Sequence, residues 1–183
     1  MKGMPKEKRL NRREKESLPV RIACQAVETY IIERRMISPP KDLPDYLLRQ
    51  AAVFVSLKRR GALRGCIGTV QATQKNIAME IISNAISAAT RDPRFPPVDP
   101  LELPELTYSV DVLSQAENIP DESHLEPSKY GVIVQSGNCR GLLLPDIDGV
   151  DSAEQQVCIA KKKAGLDEDA SCELHRFTVT RYT

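Results

Sequence analysis

The residue best suited to chemistry in this sequence is Cys66, which lies between two glycines in the segment GALRGCIGTV, residues 61–70. A thiolate is a nucleophile, and a nearby cation favours its formation. Strand alternation predicts that Arg64 and Cys66 share one face of a strand, while Gly65 and Gly68 leave space beside the thiol. The pattern indicates either a reactive cysteine with an anion-binding arginine, or a small side chain packed where two elements cross closely.

His175 is the second candidate, because a pair formed by Cys66 and His175 is the simplest nucleophile–base arrangement open to this chain. The alternative is a histidine with a purely structural role in the final strand. The other histidine, His124, lies in a polar connection, where we expect it to be exposed. Two histidines and five scattered cysteines without a Cys-x-x-Cys pair do not form a recognisable zinc motif, and there is no glycine-rich phosphate loop. We expect no metal and no other cofactor.

Two more arginines could bind an anion together with Arg64. Arg94 lies in RDPRFPP, residues 91–97, where three prolines predict a stiff loop. Arg140 begins the strand that follows the turn SGN. The alternative for Arg94 is a set of local hydrogen bonds to Asp92 that holds the loop together, and we favour that alternative.

Local patterns predict the elements that position these side chains. Predicted helices cover 18–35, a segment from a Thr73 cap to about Thr90, and a segment from Ser152 or Asp151 to a stop at Gly165. Two predicted strands flank a turn at 58–61, and two more flank the SGN turn. Single strands are predicted over 106–114 and over 172–182. Hairpins without repeated βαβ units predict an α+β fold with a largely antiparallel sheet and flanking helices.

The predicted faces of the second strand separate the candidate site from the core. Leu63 and Ile67 are expected to face the hydrophobic interior. Arg64 and Cys66 then point away from that interior, toward a cleft or a second layer.

Composition limits the classes of function. The 183 residues carry a net charge of +1, which gives no overall attraction to nucleic acids or anionic membranes. We expect a cytoplasmic location, because no apolar segment has the length of a membrane span and no secretory signal follows the N-terminus. Residues 1–16 hold seven Lys and Arg against three Glu and are predicted to be a flexible tail, and we favour this solvated tail over a nucleic-acid-binding arm. Residues 17–183 are predicted to form the folded domain.

Three segments taken in order resemble one family. The chain is similar to the AMMECR domain family, also called AmmeMemoRadiSam system protein A, in these segments: LRGCIGT (63–69), RDPRFPP (91–97) and the region from KYGVIVQSGNCRGLLLPD to KKKAG (129–165). The resemblance extends over about residues 17–182 and is carried above all by the LRGCIG motif. It implies an α+β fold with two unequal lobes, and it implies that the motif lies beside a cleft between them.

The resemblance also suggests partners and a function. Prokaryotic members are often encoded near a Memo-like protein and a radical SAM protein, which implies a binding or adaptor module that works with them. The ligand-binding residues expected from the motifs are Arg64, Gly65, Gly68, Arg94 and Arg140. The alternative is an enzyme that acts on a small anionic metabolite with Cys66 as its nucleophile and His175 as its base.

Overall fold

The computed structural model describes residues 16–183, which divide into two compact units. The first unit extends to Val112 and also takes in Arg181–Thr183, and the second comprises Leu113–Thr180. Residues 1–15 of the predicted basic tail lie outside the described residues.

The β-structure of the first unit begins with the predicted hairpin. Strands β1 (Val53–Arg59) and β2 (Ala62–Gly68) pair antiparallel, and Gly61 takes a left-handed conformation with φ 84° in the turn. β1 also pairs antiparallel with β3 (Leu106–Leu113). The four-stranded sheet A has the order β2-β1-β3-β8, where β8 is Val179–Tyr182. Strand β2 is therefore an edge strand.

One face of sheet A is covered by helices. Helices α1 (Leu18–Glu33), α2 (Asp45–Leu48) and α3 (Ile77–Thr90) belong to this unit, and α3 packs against both β1 and β2. Val53, Val55 and Leu57 are fully buried in the core beneath α3, as their alternation predicts. The aliphatic residues of α1 and α3 complete that core.

Two local predictions in this unit are wrong. The N-cap of α3 is Asn76, whose side chain accepts a hydrogen bond from the Met79 amide, and not Thr73. Thr73 binds the carboxylate of Glu80 instead. Leu63 is 40% exposed rather than part of the core, because the pairing of β1 with β2 is irregular at Leu57 and Lys58.

The second unit contains a separate four-stranded sheet, sheet B. Its strands are β4 (Glu117–Ile119), β5 (Gly131–Ser136), β6 (Cys139–Leu143) and β7 (Glu173–Phe177), in the order β4-β7-β5-β6. Helix α4 (Ala153–Ala164) packs on β5 and β6, capped by the Ser152 side chain and ended by Gly165 in a left-handed conformation. Short 3₁₀ helices occupy Pro100–Glu105 in the first unit and Glu122–His124 in the second.

The single C-terminal strand predicted over 172–182 is in fact two strands. They are interrupted at Thr178, where β7 ends its pairing with β5 and β8 joins sheet A. Alternation alone could not reveal this interruption, since both halves have strand-like composition.

The predicted α+β class is confirmed, with antiparallel pairing and flanking helices, but the strands form two sheets instead of one. No helix among residues 16–183 is both long and apolar enough to cross a lipid bilayer.

Candidate functional site

Cys66 lies on the face of β2 that points away from helix α3. Its direct partner on β1 is Ser56, whose hydroxyl donates a hydrogen bond of 3.2 Å to the Cys66 sulfur. The neighbours of Ser56 along β1, Val55 and Leu57, are fully buried on the opposite face. Cys66 is half-buried, as expected for a residue whose side chain is directed away from the core.

The glycines that flank Cys66 are required by packing. A Cβ on Gly65 would lie 2.2 Å from the backbone oxygen of Ala88 in α3, so only glycine allows the helix to approach β2 this closely. A Cβ on Gly68 would lie 2.2 Å from the ring of Phe54. In the second unit, a Cβ on Gly141 of β6 would likewise lie 2.0 Å from the backbone oxygen of Ala160 in α4.

The free edge of β2 is closed by the side chains of the RDPRFPP loop. The Cys66 amide donates to Oδ2 of Asp92 at 2.8 Å, and Nη2 of Arg94 donates to the Cys66 carbonyl oxygen at 3.4 Å. Asp92 and Arg94 thus take the place of a neighbouring strand at this residue, which satisfies backbone groups that an edge strand leaves unpaired.

Asp92 and Arg94 are also tied to each other, as the favoured sequence alternative predicts. The guanidinium donates to both carboxylate oxygens at 2.9 and 2.7 Å, and the Arg94 amide donates to Oδ1 at 3.1 Å. The Asp92 side chain is only 2% exposed, whereas the Arg94 side chain is 54% exposed. The bond from the Arg94 guanidinium, together with the amides of Cys66 and Arg94, holds the pKa of the Asp92 carboxyl well below its usual range.

Arg64 is occupied by protein groups. It forms a two-bond ion pair with Glu102, at 2.9 and 2.8 Å, and donates to the carbonyl oxygens of Pro96 and Pro97 at 2.9 and 3.3 Å. Its side chain is 12% exposed, and its guanidinium lies 5.8 Å from the centre of the Phe95 ring. The Arg64 guanidinium is the main cause that lowers the pKa of Glu102 to about 2. Arg64 therefore holds the RDPRFPP loop against β2.

The LRGCIG and RDPRFPP motifs therefore satisfy each other's backbone groups. Asp92 and Arg94 bind the amide and carbonyl of Cys66, and Arg64 binds two proline carbonyl oxygens of the loop. A sequence model of the AMMECR1 family matches residues 20–183. The chain belongs to the AMMECR1 family. The family resemblance inferred from the motifs is therefore confirmed.

The relatives of this AMMECR1-family chain extend over most of its length. A Thermotoga maritima protein is 52% identical over 166 residues, which cover 89% of this chain and 95% of that protein. A Clostridium acetobutylicum protein is 43% identical and aligns with 89% of this chain, but the aligned part is only 35% of that longer protein. The names of these two relatives state no activity.

A solved structure supports the fold. The crystal structure of an uncharacterized protein from Pyrococcus horikoshii is similar to the AMMECR1-family chain with a TM-score of 0.84 and 33% sequence identity. The similarity covers 92% of this chain and 90% of that protein.

The two remaining predicted site residues of the AMMECR1-family chain lie in its second unit. Arg140 is on β6, opposite Gln135 of β5, and His175 is on β7, opposite Ile133 of β5. The buried Nε of Arg140 and Nδ1 of His175 have no hydrogen-bond partner among residues 16–183. Cys66, Arg64 and Arg94 belong to the first unit, so a shared arginine cluster and a Cys66–His175 pair stay predictions.

Sequence reasoning missed three residues that shape the site. Ser56 contacts the thiol, Glu102 anchors Arg64, and Glu80 holds the segment after β2. The Asp99-to-Glu102 spacing is a capping-box signal that could have located the 3₁₀ turn, since Glu102 also accepts from the Asp99 amide at 2.9 Å. Its bond to Arg64, 38 positions away, has no local signal.

No metal site can be assigned on the described part of this AMMECR1-family chain. Among residues 16–183, no three or more His, Cys, Asp and Glu side chains are grouped so that they could hold a metal ion.

Proposed function

We propose that this AMMECR1-family protein is a binding module. It binds a small anionic molecule beside Cys66 and acts as an adaptor for protein partners. The observation that carries the proposal is the meeting of a thiol and a guanidinium group at one residue of β2. Cys66 is half-buried, and the half-exposed side chain of Arg94 donates a hydrogen bond to the Cys66 carbonyl oxygen. An arginine held this way presents its remaining N–H groups to a carboxylate or phosphate.

Within the first unit, the Cys66 thiol has a hydrogen-bond donor but no histidine beside it. The Cys66 sulfur receives a hydrogen bond from a serine hydroxyl, and both histidines of the chain lie in the second unit. A cysteine-nucleophile enzyme, the competing function, activates its thiol with a base or with a nearby cation. A histidine base would have to come from the second unit, so the Cys66–His175 pair stays a prediction.

The other motif residues have supporting tasks in this proposal. Arg64 holds the loop that carries Arg94, while Gly65 and Gly68 let β2 pack closely enough to present Cys66. In the second unit, the buried Nε–H of Arg140 lacks an acceptor among residues 16–183 and is suited to an anion of its own.

Anion binding can be tested by NMR titration of the labelled chain with phosphate, citrate and succinate. We expect a binding anion to shift the amide signals of Ser56, Cys66 and Arg94. Arg94→Gln should abolish these shifts and Arg94→Lys should retain part of them, because lysine keeps the charge but not the planar fork. Arg91→Gln, which changes an exposed arginine three residues away, is the matched control. Unchanged titration of a folded Arg94→Gln variant would refute the proposal.

The partners proposed from the family resemblance are a Memo-like protein and a radical SAM protein. We expect each to be retained by the immobilised chain when the purified proteins are mixed at micromolar concentration. Retention should be equal for the wild type and for Arg91→Gln. Failure of both partners to bind, with and without added anion, would refute the adaptor function and leave anion binding to be judged by the titration.

A further inference from the structure

The two units contain the same arrangement of a hairpin and a helix. In the first unit, β1 and β2 form a hairpin at the edge of sheet A, and α3 follows in the chain and packs on both strands. In the second unit, β5 and β6 form a hairpin at the edge of sheet B, and α4 follows and packs on both strands. The first strand of each hairpin also pairs antiparallel with a third strand, which is β3 in sheet A and β7 in sheet B. The two hairpins can therefore be compared position by position.

Each hairpin carries an Arg-Gly pair at the corresponding place. Gly65 and Gly141 are both positions where a Cβ would meet the backbone oxygen of a helix residue, at 2.2 Å in α3 and at 2.0 Å in α4. Each glycine is also paired with a fully buried residue of the first hairpin strand. The arginine that precedes each glycine, Arg64 in β2 and Arg140 in β6, therefore occupies the same position of its hairpin.

The two arginines differ in their partners. Arg64 donates from Nε and Nη2 to the two carboxylate oxygens of Glu102, at 2.9 and 2.8 Å. It also donates to the backbone carbonyl oxygens of Pro96 and Pro97. Arg140 is half-buried, forms no hydrogen bond or ion pair with residues 16–183, and has a buried Nε–H without an acceptor. The second unit thus lacks the carboxylate and carbonyl groups that satisfy the corresponding arginine of the first.

His175 is a second polar side chain without a partner on the same face of sheet B. His175 of β7 is opposite Ile133 of β5, and Arg140 is opposite Gln135, two residues further along β5. These two β5 residues alternate with the valines that pack in the apolar core beneath α4, so both polar side chains lie on the face away from that helix. The buried Nδ1 of His175 has no partner among residues 16–183. Glu173 of β7 is exposed, lies across Gln135 from Arg140, and forms no ion pair with it.

We propose that this face of sheet B binds an acidic peptide segment of a protein partner, whose Glu or Asp side chain forms with Arg140 the two-bond ion pair that Glu102 forms with Arg64. The inference rests on the proposed adaptor role, to which it adds the chemistry of the partner. Charge complementarity favours a carboxylate, and the first unit shows the same arginine position satisfied by a peptide segment through one carboxylate and two backbone carbonyls. The backbone of the bound segment also offers N–H and C=O groups to the Nδ1 of His175, in either tautomer.

The probe for this site is a peptide that copies residues 96–102 of the chain, PPVDPLE, acetylated and amidated at its ends. In NMR titrations of the full chain, we expect it to shift the amide signals of Gln135, Arg140 and His175. Arg140→Gln should weaken binding about tenfold or more, because it removes a charge-assisted pair of hydrogen bonds, and Arg140→Lys should retain part of the affinity. Arg91→Gln, which changes an exposed arginine of the first unit, is the control and should bind as the wild type does.

A second peptide, PPVNPLQ, lacks both carboxylates and tests the charge without any change in the protein. We expect no binding of this peptide, and that comparison decides the question even if Arg140→Gln does not fold. Equal binding of the two peptides, equal binding by Arg140→Gln and Arg91→Gln, or no binding of PPVDPLE would overturn the proposed site. Shifts of the same signals by glutarate but not by PPVDPLE would also overturn it, because the site would then accept a small anion and not a peptide.

The same variants separate this inference from the anion binding proposed beside Cys66. Arg94→Gln should abolish the anion-induced shifts at Cys66 and leave the affinity for PPVDPLE unchanged, whereas Arg140→Gln should have the opposite effect. Loss of the first result alone refutes the anion site, and loss of the second alone refutes the peptide site. Binding of PPVDPLE without retention of either family partner would refute the adaptor role for those two proteins and support the peptide site.

Discussion

Asp92→Asn is expected to lower the free energy of unfolding by about 2–4 kcal/mol at neutral pH. Both oxygens of the Asp92 carboxylate accept hydrogen bonds from N–H groups only: the Cys66 amide, the Arg94 amide and the Arg94 guanidinium. None of these donors can rotate to become an acceptor. An asparagine therefore places its NH₂ group against another donor in either orientation, and it also removes the charge opposite Arg94.

Urea unfolding followed by circular dichroism measures this effect, with Asp42→Asn as the control. Asp42 is exposed and makes no hydrogen bond or ion pair with residues 16–183, so its substitution should change stability by less than about 0.5 kcal/mol. A stability of Asp92→Asn equal to that of Asp42→Asn would contradict the role we assign to Asp92 at the edge of β2.

The same substitution should change the response to acid. Folding lowers the pKa of Asp92, so its stabilising contribution is complete above the pKa of an unfolded aspartate, about 3.9, and is lost as the pH falls below that value. The stability difference between the wild type and Asp92→Asn should therefore shrink from pH 7 to pH 3. Glu102 stabilises both proteins until the pH falls through its folded pKa of about 2, so it does not account for that difference. A difference that stays constant over this range would show that the charge of Asp92 contributes nothing.

Glu80→Met is expected to lower the free energy of unfolding by about 3–5 kcal/mol. Glu80 is fully buried in α3. Its Oε2 accepts from the backbone amides of Thr73 and Gln74, at 2.8 and 2.7 Å, and its Oε1 accepts from the hydroxyls of Thr69 and Thr73. Methionine has a similar volume but leaves both amides without an acceptor, so the segment between β2 and α3 should loosen.

Glu80→Gln provides the sharper comparison. Its amide oxygen can accept from the two backbone N–H groups while its NH₂ group donates to the two threonine hydroxyls, because a hydroxyl can reorient and accept. We expect a loss of only about 1–2 kcal/mol. Urea midpoints and hydrogen exchange at the Thr73 and Gln74 amides measure both variants. Equal destabilisation by Gln and Met would show that the charge of Glu80, rather than its acceptor geometry, stabilises this segment.

Asp92 and Glu80 show how differently two buried carboxylates are used in one unit. Glu80 fastens the chain between β2 and α3, whereas Asp92 completes the edge of β2 at the residue that carries the thiol. Asp92 thus holds the LRGCIG motif at the Cys66 amide, and Glu80 holds the chain directly after the motif.

The local elements of this protein are determined by its sequence. Apolar period, capping residues and turn glycines predict α1, the β1–β2 hairpin, β3, the β5–β6 hairpin and α4 within a few residues of their positions. These signals are local, since a helix cap such as Ser152 or a turn residue such as Gly61 acts on neighbours within one turn. The direction of the Cys66 side chain follows from the same alternation.

Only the tertiary structure decides which distant residues meet. The strand predicted over 172–182 divides at Thr178 because its two halves pair with different sheets. Arg64 is available for a ligand in the sequence, yet in the fold it binds Glu102 and two proline carbonyls. Such partners lie tens of residues apart and are selected by packing, so no local pattern encodes them, and Ser56 becomes the neighbour of the thiol only through the register of β1 with β2.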